Sequence, residues 1–306
     1  MAPARWATRC CESSAADRTV NVTPNDISVA YPGREGAHSA AACDRLFPAA
    51  RIVPRASFSD VVEAVTSGLS TYGVLPIESS LVGPVNETHD LLYDSALSIV
   101  AEAILPIQHS LVGPVQVPLE DVREIRSHPV ALDQCRGLLA SMPWATAVVA
   151  ATTGDAAAAV AELGDSSVAA IASARAARMH GLVSLADDVG DHVAYTRFAA
   201  LAPYTRLDRR DGEWRTALTF ETHHRPGALH QAIGPLARRG IDMVQLVSRP
   251  IPTRPFDYRF DCVLGGHPLD EDVAAALVEL REETARLRVF GSYRADREEG
   301  WETVAA

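Results

Sequence analysis

Polar side chains that are capable of catalysis interrupt several apolar stretches of this sequence. In "HVAYTRFAAL", Thr196 and Arg197 lie side by side between apolar residues, where a strand is expected. A threonine hydroxyl that faces a cleft can donate a hydrogen bond or relay a proton to a leaving group. The arginine can bind a carboxylate through two parallel hydrogen bonds, or pair with an acidic neighbour to hold two subdomains together. An ordinary strand edge with one polar face also explains both residues.

A second set of polar residues occupies the turns that follow predicted strands. These turns contain Ser, Thr, Gly or Glu, and they are "GREGAHS", "PIESS", "SHPVA", "ATTGD" and "IASA". Helix N-caps account for this composition in any single turn. Several such turns at one end of a sheet would offer free helix N–H groups to a carboxylate. The sequence therefore predicts an anion-binding site that is built from turns.

The elements that must position these turns are alternating strands and helices. Apolar runs such as "ISVAYPG" and "YGVLPIESS" predict buried strands, whereas "AHSAAACDRLF" and "FSDVVEAVTSG" predict helices. This alternation predicts an α/β fold with a largely parallel sheet that is covered on both faces. In such sheets the ligand binds beyond the carboxyl ends of the strands.

The composition changes at the charged segment "APYTRLDRRDGEWR". Beyond it the patterns predict strand, helix, strand, strand, helix and strand, a βαββαβ order that is ferredoxin-like. The predicted boundaries are a disordered leader at 1–26, an α/β domain at 27–203, a linker at 204–213, a second domain at 214–296 and a frayed tail at 297–306.

Length and charge exclude several classes of function. The 306 residues are enough for two or three cores, and the net charge is −11 without a Lys/Arg-rich tract. We therefore expect no nucleic-acid or membrane partner. Binding to a nucleic acid or to an anionic membrane needs a basic surface, and crossing a bilayer needs a longer apolar run. The start of the chain contains no apolar segment typical of a secretory signal. Five scattered cysteines favour reduced thiols, no zinc site and a cytoplasmic protein.

The order and spacing of the motifs resemble the prephenate dehydratase family. The matching segments are "YPGREGAHS", "GVLPIESSLVGPVNETHDLL", "SHPVALDQC", "TTGDAA", "AAIAS" and "YTRF". "PGALHQAIGPLARRGIDM", "SRP" and "GSY" then resemble the ACT regulatory domain. The resemblance implies two Rossmann-like subdomains with a cleft, similar in layout to periplasmic binding proteins, followed by a ferredoxin-like ACT domain. It implies that prephenate becomes phenylpyruvate, water and carbon dioxide in L-phenylalanine biosynthesis, with no cofactor or metal.

The resemblance also implies roles for particular residues. Thr196 matches the threonine that assists the departure of the ring hydroxyl, a poor leaving group unless it is protonated or hydrogen-bonded. Glu78 matches a glutamate that either works protonated or orients a neighbour, since a charged carboxylate would repel the anionic substrate. The other predicted catalytic residues are Ser79, Ser80, Ser127 and Gln134. The predicted substrate contacts are Ser39, Thr152, Thr153 and Arg197. For Thr152 and Thr153, and for Glu78, helix capping is the alternative.

An effector site for phenylalanine is implied in the second domain. Its predicted residues are Gly227, Ala228, Leu229, Ser248, Arg249 and Pro250. Such sites lie between the ACT domains of two chains, which implies a homodimer or homotetramer. Val247 replaces the glutamate that usually precedes "SRP", and Asp242 stands where asparagine is usual. A domain that only dimerises is the alternative.

Four polar positions of the family are altered in this sequence. Ala37 replaces threonine, Ser79 and Ala194 replace asparagine, and Val130 replaces glutamine. A site that loses hydrogen-bond partners binds its ligand differently or more weakly. The alternatives are therefore a non-aromatising prephenate decarboxylase, an arogenate dehydratase, or an inactive phenylalanine-sensing or scaffold homologue. The intact "YTRF" segment argues against the decarboxylase.

Overall fold

The structure, a computed structural model, describes residues 27–205, 211–251 and 253–296. In this part of the chain, two sheets form within residues 27–205 and a third forms beyond residue 211. The predicted leader, the predicted tail and the middle of the predicted linker lie outside the described residues. Within the described residues, no helix has the length and apolar character needed to cross a membrane.

Strands and helices alternate through residues 27–205. In chain order they are β1 (Ser28–Pro32), α1 (His38–Leu46), β2 (Arg51–Arg55), α2 (Phe58–Thr66), β3 (Tyr72–Ser79), β4 (Gly83–Pro84), α3 (Asn86–Asp94), β5 (Ser98–Ile107), β6 (Ser110–Gly113), β7 (Glu124–Ser127), α4 (Pro129–Gln134), α5 (Arg136–Ser141), β8 (Thr146–Val149), α6 (Thr153–Leu163), β9 (Val168–Ala172), α7 (Ala174–His180), β10 (Val183–Ala186) and β11 (Ala194–Ala202).

These elements form two lobes, each built on a mixed sheet. The first sheet has the order β2-β1-β3-β11-β5, with β4 beside β3, and the second has the order β10-β6-β9-β7-β8. The chain leaves the first lobe after β5 and returns through β11, which runs antiparallel to both β3 and β5. In the second lobe, β6 likewise runs antiparallel to β9 and β10. The prediction of two subdomains is confirmed, but the expected largely parallel sheet is wrong because the strands next to the two crossings reverse direction.

Several elements of the lobes lack a clear sequence pattern. The sequence pattern predicts no element at β2, α3 or β10. α3 buries Thr88, His89 and Leu92, which is too few apolar residues for an amphipathic period. After β7 the chain forms two short helices, α4 and α5, which meet at Cys135, whose φ of −121° and ψ of 34° are not helical. By contrast, α2 begins with a capping box between Ser57 and Asp60, as its sequence allows.

The C-terminal unit confirms the predicted βαββαβ order. Its elements are β12 (Trp214–Thr222), α8 (Ala228–Arg238), β13 (Met243–Ile251), β14 (Arg254–Gly265), α9 (Glu271–Glu282) and β15 (Thr284–Arg294). The strands form an antiparallel sheet with the order β13-β14-β12-β15. Both helices cover one face of this sheet, where Leu236 and Leu277 pack against Leu218 and Phe220.

The other face of the C-terminal sheet packs directly on the first lobe. Ala217, Val263 and Phe290 share a buried apolar cluster with Ile99 and Leu201 of the first sheet. Gly291 of β15 has a φ of 150°, and a Cβ atom at this position would overlap the carbonyl oxygen of Ile99 in β5. The close approach of these two strands therefore depends on the missing side chain.

We expect Gly291→Ala to destabilise the contact between the first lobe and the C-terminal unit. The added methyl group meets backbone and cannot be accommodated by a side-chain rotation, so we expect a loss of about 3 kcal/mol or more in urea unfolding. Gly68→Ala is the matched control, because Gly68 also has a positive φ but faces open space. It should cost about 1–2 kcal/mol. Equal losses for the two variants would contradict the proposed close approach.

Candidate active site

Thr196 lies on β11 opposite Ser79 of β3, at the end of the first sheet that continues into the β3–β4 turn. The turn is tied to β11 by Ser80, whose Oγ accepts a hydrogen bond from the amide of Tyr195 at 2.9 Å. The amide of Ser80 donates to the carbonyl oxygen of Tyr195 at 2.8 Å. Within the described residues, the hydroxyl of Thr196 makes no hydrogen bond, so it is available to a ligand. The structure thus brings Thr196, Ser79 and Ser80 together, and their catalytic roles stay predictions.

Glu78 and Arg197 lie on the opposite side of the same strands. Nη1 of Arg197 is 2.9 Å from Oε2 of Glu78, and its Nε is 3.6 Å from Oε2 of Glu102 on β5. The side chain of Arg197 is only 12% exposed. Of the two roles considered for Arg197, the structure shows pairing with acidic neighbours, both of which lie in the first sheet. A contact of Arg197 with a substrate carboxylate stays a prediction. Glu78 likewise faces Arg197, which fits the orientation of a neighbour.

A second group of turns connects the two lobes. Oγ of Ser173, at the start of α7, donates to the carbonyl oxygen of Gly36 at 3.0 Å. Arg34, in the same turn as Gly36, pairs with Asp155 of α6 at 2.5 Å. Gly36 has a φ of 89°, and a Cβ there would lie 2.9 Å from Cα of Ala176. The predicted turns "GREGAHS", "ATTGD" and "IASA" therefore meet between the lobes.

The predicted substrate contacts in these turns have local structural roles. Thr152 caps α6: its Oγ1 accepts from the amide of Asp155 at 3.0 Å and donates to Oδ2 of Asp155 at 2.8 Å. This is the capping role that was the alternative for Thr152. Thr153 is the first residue of α6, and Ser39 is the buried second residue of α1. Contacts of Thr153 and Ser39 with a substrate stay predictions.

Ser127 is fully buried. Its Oγ donates to the carbonyl oxygen of Ile171 on β9 at 2.7 Å, so it fixes the second sheet. The following helix, α4, is capped instead by Nδ1 of His128, which accepts from the amide of Val130 at 3.2 Å. The Ser127 hydroxyl thus has a structural partner on β9, and its catalytic role stays a prediction.

Gln134 joins the two connections between the lobes. Its Oε1 is 2.9 Å from Nε2 of His109, which lies between β5 and β6. Its carbonyl oxygen accepts from the amide of Asp191, in the return connection, at 2.7 Å. The ring of His109 stands perpendicular to that of His38 in α1, with centroids 6.1 Å apart. Burial lowers the pKa of both histidines, that of His38 to about 4, so both rings are neutral at pH 7.

A pocket of about 510 Å³ lies at the start of α8 in the C-terminal unit. Gly227, Ala228 and Leu229 line it, together with His223, His224, His230, Phe256 and Tyr258. Gly227 is the N-cap of α8 with a φ of 79°. Free helix N–H groups, imidazoles and aromatic rings around one cavity can hold a small molecule with a carboxylate and an apolar group.

The second predicted effector segment lies on the edge strand β13, where Ser248 and Pro250 pair with Phe260 and Tyr258, two residues that line this pocket. Ser248, Arg249 and Pro250 pair with β14, and Arg249 binds Asp90 of α3 through its Nε and Nη2 at 3.3 and 2.5 Å. Arg249 is thus part of the contact with the first lobe. A site that combines both segments of two chains stays a prediction.

Sequence reasoning missed a buried carboxylate behind Thr196. The side chain of Glu102 is 1% exposed and lies 2.5 Å from Nη1 of Arg215 on β12. Its burial raises its pKa, whereas the cations of Arg215 and Arg197 act in the opposite direction. The available signal was a single charge within "LSIVAEAILPI", a stretch that is otherwise almost entirely apolar.

The comparisons with known proteins agree with this architecture. The family model described as prephenate dehydratase matches residues 29–205. "Arogenate dehydratase/prephenate dehydratase 2, chloroplastic" of Arabidopsis thaliana is 35% identical over 280 residues, which are 88% of this chain and 73% of that protein. The "Bifunctional N-acyl-homoserine lactone acylase/prephenate dehydratase" of Komagataeibacter europaeus is 35% identical over 270 residues, 87% of this chain and 95% of that protein.

A solved structure is similar over nearly the whole chain. The prephenate dehydratase of Arthrobacter aurescens, in complex with L-Phe, is 31% identical with a TM-score of 0.80. The alignment covers 88% of this chain and 90% of that chain, so it includes the C-terminal unit as well as the lobes.

We expect the neutral imidazole of His38 to make the fold sensitive to acid. Its pKa is about 4 in the folded protein and near 6.5 when unfolded, so the unfolded state binds the proton first as pH falls. The free energy of unfolding should fall between pH 6.5 and 4, by at most about 3 kcal/mol because the ring is partly exposed. His38→Gln should flatten this dependence in urea unfolding, whereas the exposed control His230→Gln should not. A curve unchanged by His38→Gln would disprove the assignment.

Proposed function

Because the chain belongs to the prephenate dehydratase family, we propose that it acts as a dehydratase on prephenate, with the hydroxyl of Thr196 at the reacting centre. The products are phenylpyruvate, water and carbon dioxide. Arogenate, the amino analogue, is the alternative substrate, and the name of the Arabidopsis relative includes both activities.

The observation that carries the proposal is the isolation of the Thr196 hydroxyl. Ser80 secures the turn beside it, and Arg197 and Glu78 are occupied with each other behind the strand. In the described part of the chain nothing competes for the Thr196 hydroxyl, which sits on a central strand held on both sides by β3 and β5. A rigid donor of this kind can stabilise charge that develops on a departing oxygen.

The reaction needs a hydrogen-bond donor and orientation. The ring carboxylate leaves as carbon dioxide, and the electron pair of its C–C bond enters the ring. The C–O bond opposite breaks, and the hydroxide takes a proton, donated or relayed by Thr196, to leave as water. One proton is consumed for each prephenate dianion, and formation of the aromatic ring drives both bond cleavages.

Recognition of the substrate carboxylates is assigned to the turns between the lobes. Thr152 uses its hydroxyl to cap α6, but the amides of Thr153 and Gly154 make no hydrogen bond within the described residues. Free amides at a helix N-terminus favour an anion. This arrangement can replace the side-chain amides that are absent at Ser79 and Ala194.

We expect Thr196→Val to abolish turnover and leave the fold intact, because valine keeps the shape and removes only the hydroxyl. The measurement is the formation of phenylpyruvate from prephenate and of phenylalanine from arogenate, with a rate loss of about 100-fold or more. Thr146→Val, at an exposed strand position of the second lobe, is the matched control.

The three candidate activities give different products in this assay. Phenylpyruvate supports the proposal and phenylalanine from arogenate supports the alternative substrate. A dihydro-hydroxyphenylpyruvate indicates a decarboxylase, and unchanged substrate indicates a sensing or scaffold protein. A Thr196→Val variant that retains near wild-type turnover would show that the residue was assigned wrongly.

The proposal includes regulation by phenylalanine through the C-terminal unit as an ACT domain. Its βαββαβ fold and the pocket at Gly227 support this assignment, and the Arthrobacter relative was solved with L-Phe. A homodimer or homotetramer is part of the same proposal, because the edge strand β13 exposes Val244 and Leu246. The cytoplasm is the proposed location, supported by the scattered cysteines.

We expect Gly227→Asp to abolish an effect of phenylalanine, whereas Gly227→Asn should weaken it less. Both side chains tolerate a positive φ and enter open space, so the variants differ mainly in charge. The aspartate repels the carboxylate of a ligand at the start of α8. Calorimetric titration with L-phenylalanine and inhibition curves provide the measurement. Equal affinities of the two variants for L-phenylalanine would show that its carboxylate does not bind at the start of α8.

A further inference from the structure

Four charged side chains form a continuous row from the first lobe into the C-terminal unit. Their charges alternate along Glu78 of β3, Arg197 of β11, Glu102 of β5 and Arg215 of β12. The pair distances are 2.9 Å, 3.6 Å and 2.5 Å in that order. The row thus spans three neighbouring strands of the first sheet and crosses the domain boundary.

Glu102 is the critical member because it has the least access to water. Its Oε1 accepts from Arg215 and from the amide of Asp296 at 3.0 Å, while its Oε2 faces Nε of Arg197. The Asp296 carboxylate and the buried Tyr293 are the other titratable groups that face it from the C-terminal unit. A buried carboxylate that loses a cation must find another partner or take up a proton.

The row is joined to the candidate active site through the backbone of β11. Thr196 and Arg197 are successive residues of a strand, so their side chains point to opposite faces. Arg197 bridges Glu78 on one neighbouring strand and Glu102 on the other. A shift of the guanidinium from Glu78 toward Glu102 would therefore act on β11 at the residue next to Thr196.

We propose that Arg215, which lies in the C-terminal unit and does not touch the candidate site, is a positioning residue for the reaction. By binding Glu102, it prevents this carboxylate from drawing Arg197 away from Glu78, and so keeps the Thr196 hydroxyl in its orientation. The inference rests on the proposed role of Thr196.

The test compares Arg215→Met with Arg215→Lys in the full chain. The methionine variant removes the cation and should lower kcat about tenfold with little change in KM, because orientation rather than substrate binding is lost. The lysine variant keeps a cation near Glu102 and should restore most of the activity. Arg238→Met is the matched control, since Arg238 pairs with Glu279 on the exposed helical face of the same unit.

Two further readouts separate positioning from a loss of folding. In Arg215→Met the ratio of variant to wild-type kcat should rise as pH falls, because protonated Glu102 no longer competes for Arg197. Adding Glu102→Gln to Arg215→Met should restore kcat at every pH for the same reason. A kcat that Arg215→Met leaves unchanged overturns the inference. So does a loss that is equal at every pH and that Glu102→Gln does not recover.

Hydrogen exchange of the amides of β11 tests, without a substrate, whether Arg215 stabilises this strand. Arg215→Met should speed exchange at residues 194–198, and Arg238→Met should leave it unchanged. If the wild-type protein turns over neither prephenate nor arogenate, the proposed function fails while this measurement still decides the role of Arg215. Unchanged exchange in Arg215→Met overturns the inference.

Discussion

The carboxylate of Glu102, buried between two arginines, is the constraint on which the arrangement of the protein depends. A charge without access to water is stable in this position only if both partners are in place. One of them, Arg197, comes from the strand that carries Thr196, and the other, Arg215, comes from the C-terminal unit. Glu102 therefore links the docked C-terminal unit to the strand that carries Thr196. The bare backbone of Gly291 against Ile99 then lets β15 approach β5 closely enough for the contact to form.

A second connection between the same two parts runs through α3, which follows the β3–β4 turn. Asp90 of this helix binds Arg249 and Arg259, and the hydrogen bonds from both outweigh burial and lower the pKa of Asp90. The guanidinium of Arg259 also lies 4.1 Å from the ring centroid of Tyr93. Arg288 donates to carbonyl oxygens at the C-terminal end of α3, where the helix dipole is negative. α3 is thus stabilised by the C-terminal sheet rather than by its own sequence. The contact also places Arg249, which the resemblance assigns to an effector, between the two parts.

The altered positions have different surroundings, so their consequences differ. Ala37 precedes α1 and gives this helix no side-chain cap, as expected where threonine is missing. Ala194 is 2% exposed and pairs with Ile107, so an apolar methyl group takes the place of the asparagine amide at a buried position. Val130 is 40% exposed on α4, so the change from glutamine there falls at a position open to water. Oγ of Ser79 accepts weakly from the amides that follow it, at 3.4 Å, and retains part of the turn-forming role of asparagine. Loss of polarity is thus greatest beside Thr196.

The sequence by itself determined the α/β class, the βαββαβ unit and the prominence of Thr196, because these follow from local apolar periods and from the order of motifs. It also determined where helices such as α2 begin, since capping is a contact between residues three apart. Only the tertiary structure decided which partners the remaining polar side chains contact. Ser127 binds β9, Gln134 binds the connection at His109, and Arg197 faces carboxylates from two other strands. The direction of strands β6 and β11 and the existence of α3 were decided in the same way. These features depend on partners distant in the chain, and the free energy of burying a charge or a hydroxyl is set by those partners rather than by its neighbours in sequence.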